Sequence, residues 1–267
     1  MTDGSIRGHT ALVTGASSGI GYELAAILAE AGCHLVLVAR DRDKLTELAR
    51  TLQMQHGITA TVIAKDLGVP SAPQDIAEEL LGASITVDLL VNNAGFGSHG
   101  PFAEADLANQ LNMVQVNVTA LTHLTRLLLP GMIERRRGYI LNVASTAAFQ
   151  PGPLMAVYYA TKAYVLSFSE ALANEIQGSG VTVTALCPGP TTTEFQQRAG
   201  VGHTRLMRGR IADARSVALA GYREMLQGRT IVIPGFRNRL LAFVVRLLPR
   251  HIVTSIVRNI QEGREPH

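Results

Sequence analysis

The chain has 267 residues, of which 47% are apolar and 17% charged. This composition can build a sizeable hydrophobic core and is too apolar for a disordered protein. Aromatic residues make up only 5%, and no zinc-finger or RNA-binding signature occurs, which argues against a nucleic-acid-binding protein. The net charge of +3 is uneven: acidic residues exceed basic ones by six up to Gln197, and basic residues exceed acidic ones by nine from Arg198 onward. This basic C-terminal part is compatible with three surroundings: a bound anion, a membrane surface or water.

Both cysteines, Cys33 and Cys187, lie in apolar runs and are predicted to be buried free thiols, as expected in a reducing compartment. The stretch from Met1 to His9 is polar, and no uncharged apolar run is long enough to span a bilayer. We therefore expect a cytoplasmic protein without a secretory signal or a spanning helix. No metal site is predicted.

Short apolar strands alternate with amphipathic helices along the chain. The predicted strands are His9–Thr14, His34–Ala39, Thr59–Ala64, Val87–Val91, Tyr139–Val143, Val181–Leu186 and Thr230–Ile233. The predicted helices are Ile20–Ala31, Asp41–Gln55, Asp106–Arg136 with one break, and Tyr158–Ile176. This alternation predicts an α/β fold of the Rossmann type, with a doubly wound, seven-stranded parallel sheet. We expect a single domain over residues 1–267, with a core of about 8–234 and a C-terminal amphipathic helical extension of about 238–261.

The turn after the first strand reads Thr14-Gly15-Ala16-Ser17-Ser18-Gly19-Ile20-Gly21. Gly15 permits a tight turn, Gly19 lets a pyrophosphate approach the backbone, and Gly21 lets the helix pack closely on the strand. The helix N-terminus offers unpaired N–H groups to the phosphates. A glycine triplet also occurs in ordinary turns, but its place between a strand and a helix favours a dinucleotide site.

Arginine rather than an acidic residue stands at the end of the second strand, where Ala39 is followed by Arg40, with Arg42 two residues on. A carboxylate there would bind the ribose hydroxyls of NAD, whereas a guanidinium suits a 2′-phosphate. We therefore predict NADP(H) in preference to NAD(H). The alternative interpretation is a solvated arginine at a strand end.

Tyr158 and Lys162 lie four residues apart on a predicted helix, so they share a face, whereas Tyr159 points elsewhere. A free tyrosine has a pKa near 10, and a neighbouring ammonium would lower that pKa toward neutrality. Ser145 lies thirteen residues before Tyr158, just after the fifth predicted strand. Taken alone, a tyrosine and a lysine at this spacing are more often a surface pair.

The glycine turn, Asn92-Asn93-Ala94-Gly95, Ser145, the Tyr158–Lys162 pair and Pro188-Gly189 occur in the order found in short-chain dehydrogenases/reductases. The chain resembles this family from about Gly8 to Pro234. Three residues separate the first two glycines of the turn, as in the single-domain branch, whereas the extended, epimerase-like branch has two.

The resemblance implies hydride transfer between NADP(H) and a ketone, aldehyde or alcohol. Tyr158 would be the acid/base, Ser145 would bind the reacting oxygen, Lys162 would also bind the nicotinamide ribose, and Asn117 would anchor a water in the proton relay. The resemblance also implies a homodimer or homotetramer. The implied cofactor-binding residues are Gly15, Ser17, Ser18, Gly19, Ile20, Gly21, Arg40, Asp66, Leu67, Asn93, Ala94, Gly95, Tyr158, Lys162, Pro188, Gly189, Thr191 and Thr193.

The substrate is predicted to be a small, apolar carbonyl or alcohol. Its candidate pocket residues are Phe96, Phe149, Met155 and, in a variable loop of about Thr192–Asp213, Phe195. Two alternative functions stay open. One is a catalytically silent NADP-binding sensor or scaffold, and the other is an acyl-carrier-linked 3-ketoacyl reductase.

The C-terminal stretch Asn238–Ile260 carries an apolar stripe at helical spacing, with Pro249 as a predicted kink. It is interpreted as a lid over the active site, a subunit contact or an interfacial helix on anionic lipid, and packing against protein is favoured. The stripe comprises Leu241, Val244, Val245, Leu248, Ile252, Ile256 and Ile260, and its flanking arginines are Arg239, Arg246, Arg250 and Arg258.

Overall fold

The predicted strands pair side by side in a computed structural model, which describes residues 6–193, 199–200 and 211–262. Its strands are β1 (Thr10–Thr14), β2 (His34–Ala39), β3 (Ala60–Ala64), β4 (Leu89–Asn92), β5 (Gly138–Val143), β6 (Val181–Leu186), β7 (Thr191–Thr192), β8 (Ala212–Asp213) and β9 (Ile231–Val232). Within the described ranges, seven of these strands form one parallel sheet in the order β3-β2-β1-β4-β5-β6-β9. The remaining two, β7 and β8, form a separate parallel pair.

Helices cover both faces of the sheet, as the buried apolar runs of its strands require. Leu12 of β1 faces a cluster that includes Ile76 and Leu124, whereas its neighbour Val13 faces a cluster that includes Leu24 and Val217. The predicted doubly wound fold is therefore confirmed. The helices are α1 (Gly19–Glu30), α2 (Arg42–His56), α3 (Ala72–Gly82), α4 (Leu107–Val114), α5 (Leu121–Glu134), α6 (Ala156–Glu175), α7 (Ala214–Leu226), α8 (Phe236–Val244) and α9 (Arg250–Gln261).

The strand order reverses between β1 and β4, which pair directly. In a doubly wound sheet, a crevice opens at this point beyond the carboxyl ends of the strands, because the helices that follow them diverge to opposite faces. The glycine turn, Arg40, Asn93 and Ser145 all follow strand ends. The topology thus brings segments that are far apart in sequence to one edge of the sheet.

The long helical region predicted over Asp106–Arg136 is interrupted differently from the expectation. A π-helical turn, Gln115–Ala120, joins α4 directly to α5, and the backbone on both sides of it stays helical. The extra residue of a π turn re-aims the side chains within it without ending the helix. The predicted break is therefore a local widening.

The C-terminal extension consists of two helices, because the chain leaves α8 after Val244 and starts α9 directly after Pro249. The predicted kink at Pro249 is thus a full separation. Among the residues that the structure describes, no helix is long and apolar enough to cross a membrane.

Candidate active site

A cleft of about 590 Å³ opens at the carboxyl edge of the sheet. Of the eighteen implied cofactor-binding residues, all except Gly21 line it. Ser145, Phe96 and Met155 line it as well. Motifs that are up to 178 residues apart in sequence, from Gly15 to Thr193, therefore share one cavity.

The glycine turn is tied to the end of β4 by side-chain hydrogen bonds. The Asn93 side-chain amide donates to the carbonyl oxygens of Thr14 and Gly15 at 3.0 and 3.2 Å. In return, the Thr14 hydroxyl oxygen accepts from the backbone N–H groups of Asn93 and Ala94 at 2.9 and 3.0 Å. These four hydrogen bonds fix the position of the glycine turn relative to the end of β4.

The turn fits a pyrophosphate for steric and electrostatic reasons. Gly15 and Gly19 have φ values of 64° and 58°, a region that glycine adopts without strain. A Cβ on Gly21 would collide with the carbonyl oxygen of Gly15 and the amide of Asn93, so only glycine allows this approach. The side chain of Ser18 does not cap the N-terminus of α1, which leaves the helix amides available to an anion at the cleft wall.

Cationic side chains line the far end of the cleft. Arg40 and Lys44 both reach it, and both side chains are exposed. Asp41 lies between them, but its carboxylate accepts the backbone N–H of Lys44 at 3.1 Å and so caps α2. Arg42 does not line the cleft. The motifs did not single out Lys44, which reaches the cleft from the first turn of α2.

Ser145, Tyr158 and Lys162 meet on one wall of the cleft. The Lys162 ammonium donates a 2.7 Å hydrogen bond to the carbonyl oxygen of Val143, at the end of β5. It lies 5.9 Å from the centroid of the Tyr158 ring. The Ser145 hydroxyl oxygen accepts the N–H of Ala147 at 3.1 Å, which fixes the turn that follows β5.

Burial controls the pKa values of this group. Burial raises the pKa of Tyr158 above its ordinary value of 10, and a hydrogen bond with Ser145 offsets part of that rise. Burial also lowers the pKa of Lys162 from 10.5 to about 8. The expectation that Lys162 brings the pKa of Tyr158 toward neutrality does not describe this arrangement, since desolvation dominates and the ammonium bonds to Val143.

A comparison with protein families places this geometry in a known group. The family model described as short chain dehydrogenase matches residues 9–202. The chain belongs to the short-chain dehydrogenase family. The predicted family and its Rossmann-type fold are therefore confirmed.

Individual members of this family share the chain's sequence and fold. It is 38% identical over 185 residues to the very-long-chain 3-oxoacyl-CoA reductase of Rattus norvegicus, a match that covers 68% of this chain and 59% of that protein. The chain thus spans less than two thirds of this curated relative.

Solved structures of the family cover the chain more completely. A short-chain dehydrogenase from Sphingobium yanoikuyae in complex with NADPH superposes with a TM-score of 0.81 at 32% identity, over 90% of this chain and 93% of the other. A bulky-bulky ketone specific alcohol dehydrogenase from Comamonas testosteroni gives a TM-score of 0.76 at 29% identity, over 90% and 92%.

Asn117, the asparagine implied by the family pattern, lies behind the cleft wall rather than in it. Its side-chain oxygen accepts the N–H of Phe96 at 3.1 Å, and its side-chain amide donates to the carbonyl of Phe96 at 3.0 Å. The same amide donates to the Thr161 hydroxyl at 3.0 Å. Asn117 therefore clamps the loop after β4 against α6, close to Lys162.

The structure places the candidate substrate residues in different pockets. Phe96 and Met155 line the cleft, but Phe149 lines a separate pocket of about 180 Å³ beneath the C-terminal helices, with Val245 and Val253. Phe149 is therefore not part of the cleft wall. Phe195 lies outside the described residues, as does most of the predicted variable loop.

Tyr159 and Gln261 are among the cleft residues that the sequence motifs did not reveal. Gln261 is the last residue of α9 and is fully buried. Val257 and Val253, one and two turns earlier, pack with Met155 and Tyr159. One face of α9 thus packs over the cleft beside Met155 and Tyr159, as the lid interpretation expected, although the buried residues are not those of the predicted stripe.

Proposed function

We propose that this chain is an NADP(H)-dependent oxidoreductase that interconverts a ketone or aldehyde and an alcohol by hydride transfer. The observation that carries the proposal is the placement of Ser145, Tyr158 and Lys162 on one wall of a cleft that extends to the glycine turn and Arg40. This placement joins an acid/base group to a phosphate-binding turn in one cavity. A catalytically silent sensor would not need the acid/base group.

Tyr158 is the proton donor and acceptor of the proposed reaction. In reduction, its hydroxyl gives a proton to the carbonyl oxygen, and the Ser145 hydroxyl donates a hydrogen bond to the same oxygen as negative charge develops on it. Lys162, held by Val143, places a positive charge beside the phenolate that remains. The nicotinamide, when bound, supplies or accepts the hydride. Asn117 acts as a positioning residue through the backbone of Phe96.

The preference for NADP(H) over NAD(H) rests on charge at the far end of the cleft. Arg40 and Lys44 offer two cations to a 2′-phosphate, and the carboxylate of Asp41 is engaged in capping α2. The similarity to the Sphingobium yanoikuyae enzyme, whose structure holds NADPH, supports the same preference.

The substrate is proposed to be an apolar carbonyl compound, because Met155 and Tyr159 line its end of the cleft beside the apolar face of α9. A 3-oxoacyl thioester is a second candidate, favoured by the 38% identity to the rat 3-oxoacyl-CoA reductase. Bulky ketones are favoured by the similarity to the Comamonas testosteroni enzyme.

We also propose a homodimer or homotetramer that uses α4. Leu107, Leu111 and Val114 follow one face of this helix and are 64%, 60% and 37% exposed, which suits a subunit contact.

A cytoplasmic location is supported by Cys33 and Cys187, which are both buried and unpaired.

The test is a panel of steroids, fatty acyl ketones, 3-oxoacyl thioesters, quinones and sugars, with consumption of NADPH followed by absorbance. Turnover by the native chain is expected to fall by roughly 10²- to 10⁴-fold in Tyr158→Phe, with NADPH affinity retained. Tyr164→Phe, on the exposed side of the same helix, is the matched control and should keep full turnover. NADPH binding without turnover of any panel member would favour the sensor alternative.

A further inference from the structure

The helix α9 carries two adjacent apolar stripes, of which only one is covered. Val253 and Val257 are 4% and 3% exposed and pack on the cleft wall. Ile252, Ile256 and Ile260 each precede a buried residue, Val253, Val257 and Gln261 in turn, and are 40%, 46% and 36% exposed. A helix that buries half of an apolar arc and exposes the other half is suited to lie between protein and a second apolar medium.

The preceding helix exposes a similar stripe. Phe236, Leu240 and Phe243 follow the i, i+4, i+7 spacing of one face and are 75%, 49% and 59% exposed. At 3.6 residues per turn, Arg237 and Arg239 lie on opposite flanks of this stripe. We define the C-terminal apolar surface as the exposed side chains Phe236, Leu240, Leu241, Phe243, Leu247, Leu248, Ile252, Ile256 and Ile260.

The charge around this surface is strongly positive. Five arginines lie between Gly235 and Glu262, and Glu262 is the only acidic residue in that stretch. Glu262 is itself paired with Arg258 at 2.6 Å. The remaining four are Arg237, Arg239, Arg246 and Arg250, and the described residues include no carboxylate paired with them.

An apolar surface of this kind can contact a second copy of the chain or a lipid bilayer, and its charge favours one of the two. A two-fold contact with a second copy would bring the same patch against itself, so these arginines would face one another without compensation. An anionic bilayer instead presents negative headgroups to the arginines and acyl chains to the apolar side chains.

We propose that the C-terminal apolar surface binds the face of an anionic lipid bilayer, with α8 and α9 lying in the interface. The inference goes beyond the proposed function, because it concerns a surface outside the cleft and requires no turnover. It also places the bilayer against the helix whose other face closes the substrate end of the cleft, where an apolar substrate dissolved in lipid would arrive.

Co-sedimentation of the full chain with vesicles tests the proposal without substrate or cofactor. The chain is expected to bind vesicles of phosphatidylcholine and phosphatidylglycerol at low salt, and to bind vesicles of phosphatidylcholine alone much more weakly. The double variant Arg237→Gln, Arg239→Gln should bind the anionic vesicles roughly thirtyfold more weakly, since each basic residue near such a surface contributes about 1 kcal/mol. Arg50→Gln, Arg223→Gln is the matched control and should bind as the native chain does.

The apolar contribution is tested by the triple variant Ile252→Gln, Ile256→Gln, Ile260→Gln, which leaves the buried stripe of α9 intact. It should reduce vesicle binding on the order of tenfold or more. Its control is Met54→Gln, Val69→Gln, Leu81→Gln, at exposed apolar positions outside the extension. Equal binding by the two triple variants, or no binding of the native chain at low salt, would overturn the proposal. So would a native oligomer that the isoleucine variant dissociates, because the surface would then be a subunit contact.

Discussion

The side-chain amide of Gln261 donates a 2.7 Å hydrogen bond to the hydroxyl of Tyr159, joining residues 102 positions apart. The backbone carbonyl of Gln261 also lies 3.0 Å from a ring nitrogen of His99, in the loop after β4. Tyr159 neighbours the proposed acid/base Tyr158. The end of α9 is therefore hydrogen-bonded to α6, the helix that carries Tyr158, and also contacts the loop after β4.

This bond makes Tyr159 important for stability. Tyr159→Phe should lower the free energy of unfolding by about 1–3 kcal/mol, because it leaves the Gln261 amide buried without its acceptor. Tyr164→Phe loses a hydroxyl contact to Thr122 on the exposed side of the same helix and should cost less than about 0.5 kcal/mol. Urea unfolding of both variants without cofactor measures the difference, and equal losses would contradict it.

Arg40 is predicted to discriminate between the two dinucleotides. Arg40→Ala should weaken NADPH binding by roughly 10- to 150-fold, because a charge-assisted hydrogen bond to the 2′-phosphate is lost. NADH lacks this phosphate, so its binding should be unchanged. Arg42→Ala removes an exposed arginine two residues away that does not line the cleft, so it should change neither affinity. Fluorescence titrations of both variants with both nucleotides provide the measurement. A parallel loss of NADH and NADPH affinity in Arg40→Ala would argue against a 2′-phosphate contact.

The lowered pKa of Lys162 predicts an alkaline limit to activity. Because burial brings this pKa to about 8, the ammonium beside Tyr158 is lost as the pH rises through that value. We expect kcat/KM to fall above about pH 8 in the free enzyme. In Lys162→Arg the guanidinium stays charged, so this limb should disappear even if overall activity is lower. If kcat/KM fell above the same pH in both proteins, the fall would be due to the titration of another group.

The buried thiol of Cys33 predicts a loss of stability in alkali. Burial raises its pKa from 9.0 to about 12, so the folded chain keeps this proton while the unfolded chain releases it. The resulting stabilisation is complete below pH 9 and is lost as the pH rises toward 12, at up to about 1.4 kcal/mol per pH unit. The cost of Cys33→Ala should therefore shrink above pH 9. The cost of Val36→Ala, a buried position without an ionisable group, should stay constant in the same urea titrations.

The elements that bury a regular apolar pattern could be predicted from the sequence within a few residues. Strands β2 and β6 begin and end where the apolar runs do. The helix α3 was not predicted, because it buries only Ile76 and Leu80 as large aliphatic side chains and contains Pro73. The apolar face of α9 was misplaced because the separation at Pro249 resets the helical phase, so that Val253 rather than Ile252 turns inward.

The candidate site was predictable where its residues form contiguous motifs at the ends of parallel strands, since topology alone brings such ends together. Gln261 could not be found in this way, because it reaches the cleft only after α9 folds back over α6. Lys44 similarly depends on the direction in which α2 leaves β2. The pKa of Tyr158 depends on desolvation, which no spacing of residues along the chain reports.

The π-helical turn at Gln115–Ala120 has a consequence for how this region can change in length. A single-residue deletion there would remove the extra residue of the turn and restore regular helix, while α4 and α5 keep their relative orientation. Asn117 lies within the turn, so its side chain would change direction and its clamp on Phe96 would be lost, whereas Leu124 would keep its packing against the sheet. A further residue inserted as regular helix would instead rotate α5 by about 100° relative to α4. Changes of length in this segment should therefore be rejected during evolution or protein engineering, even where substitutions of its exposed side chains are accepted.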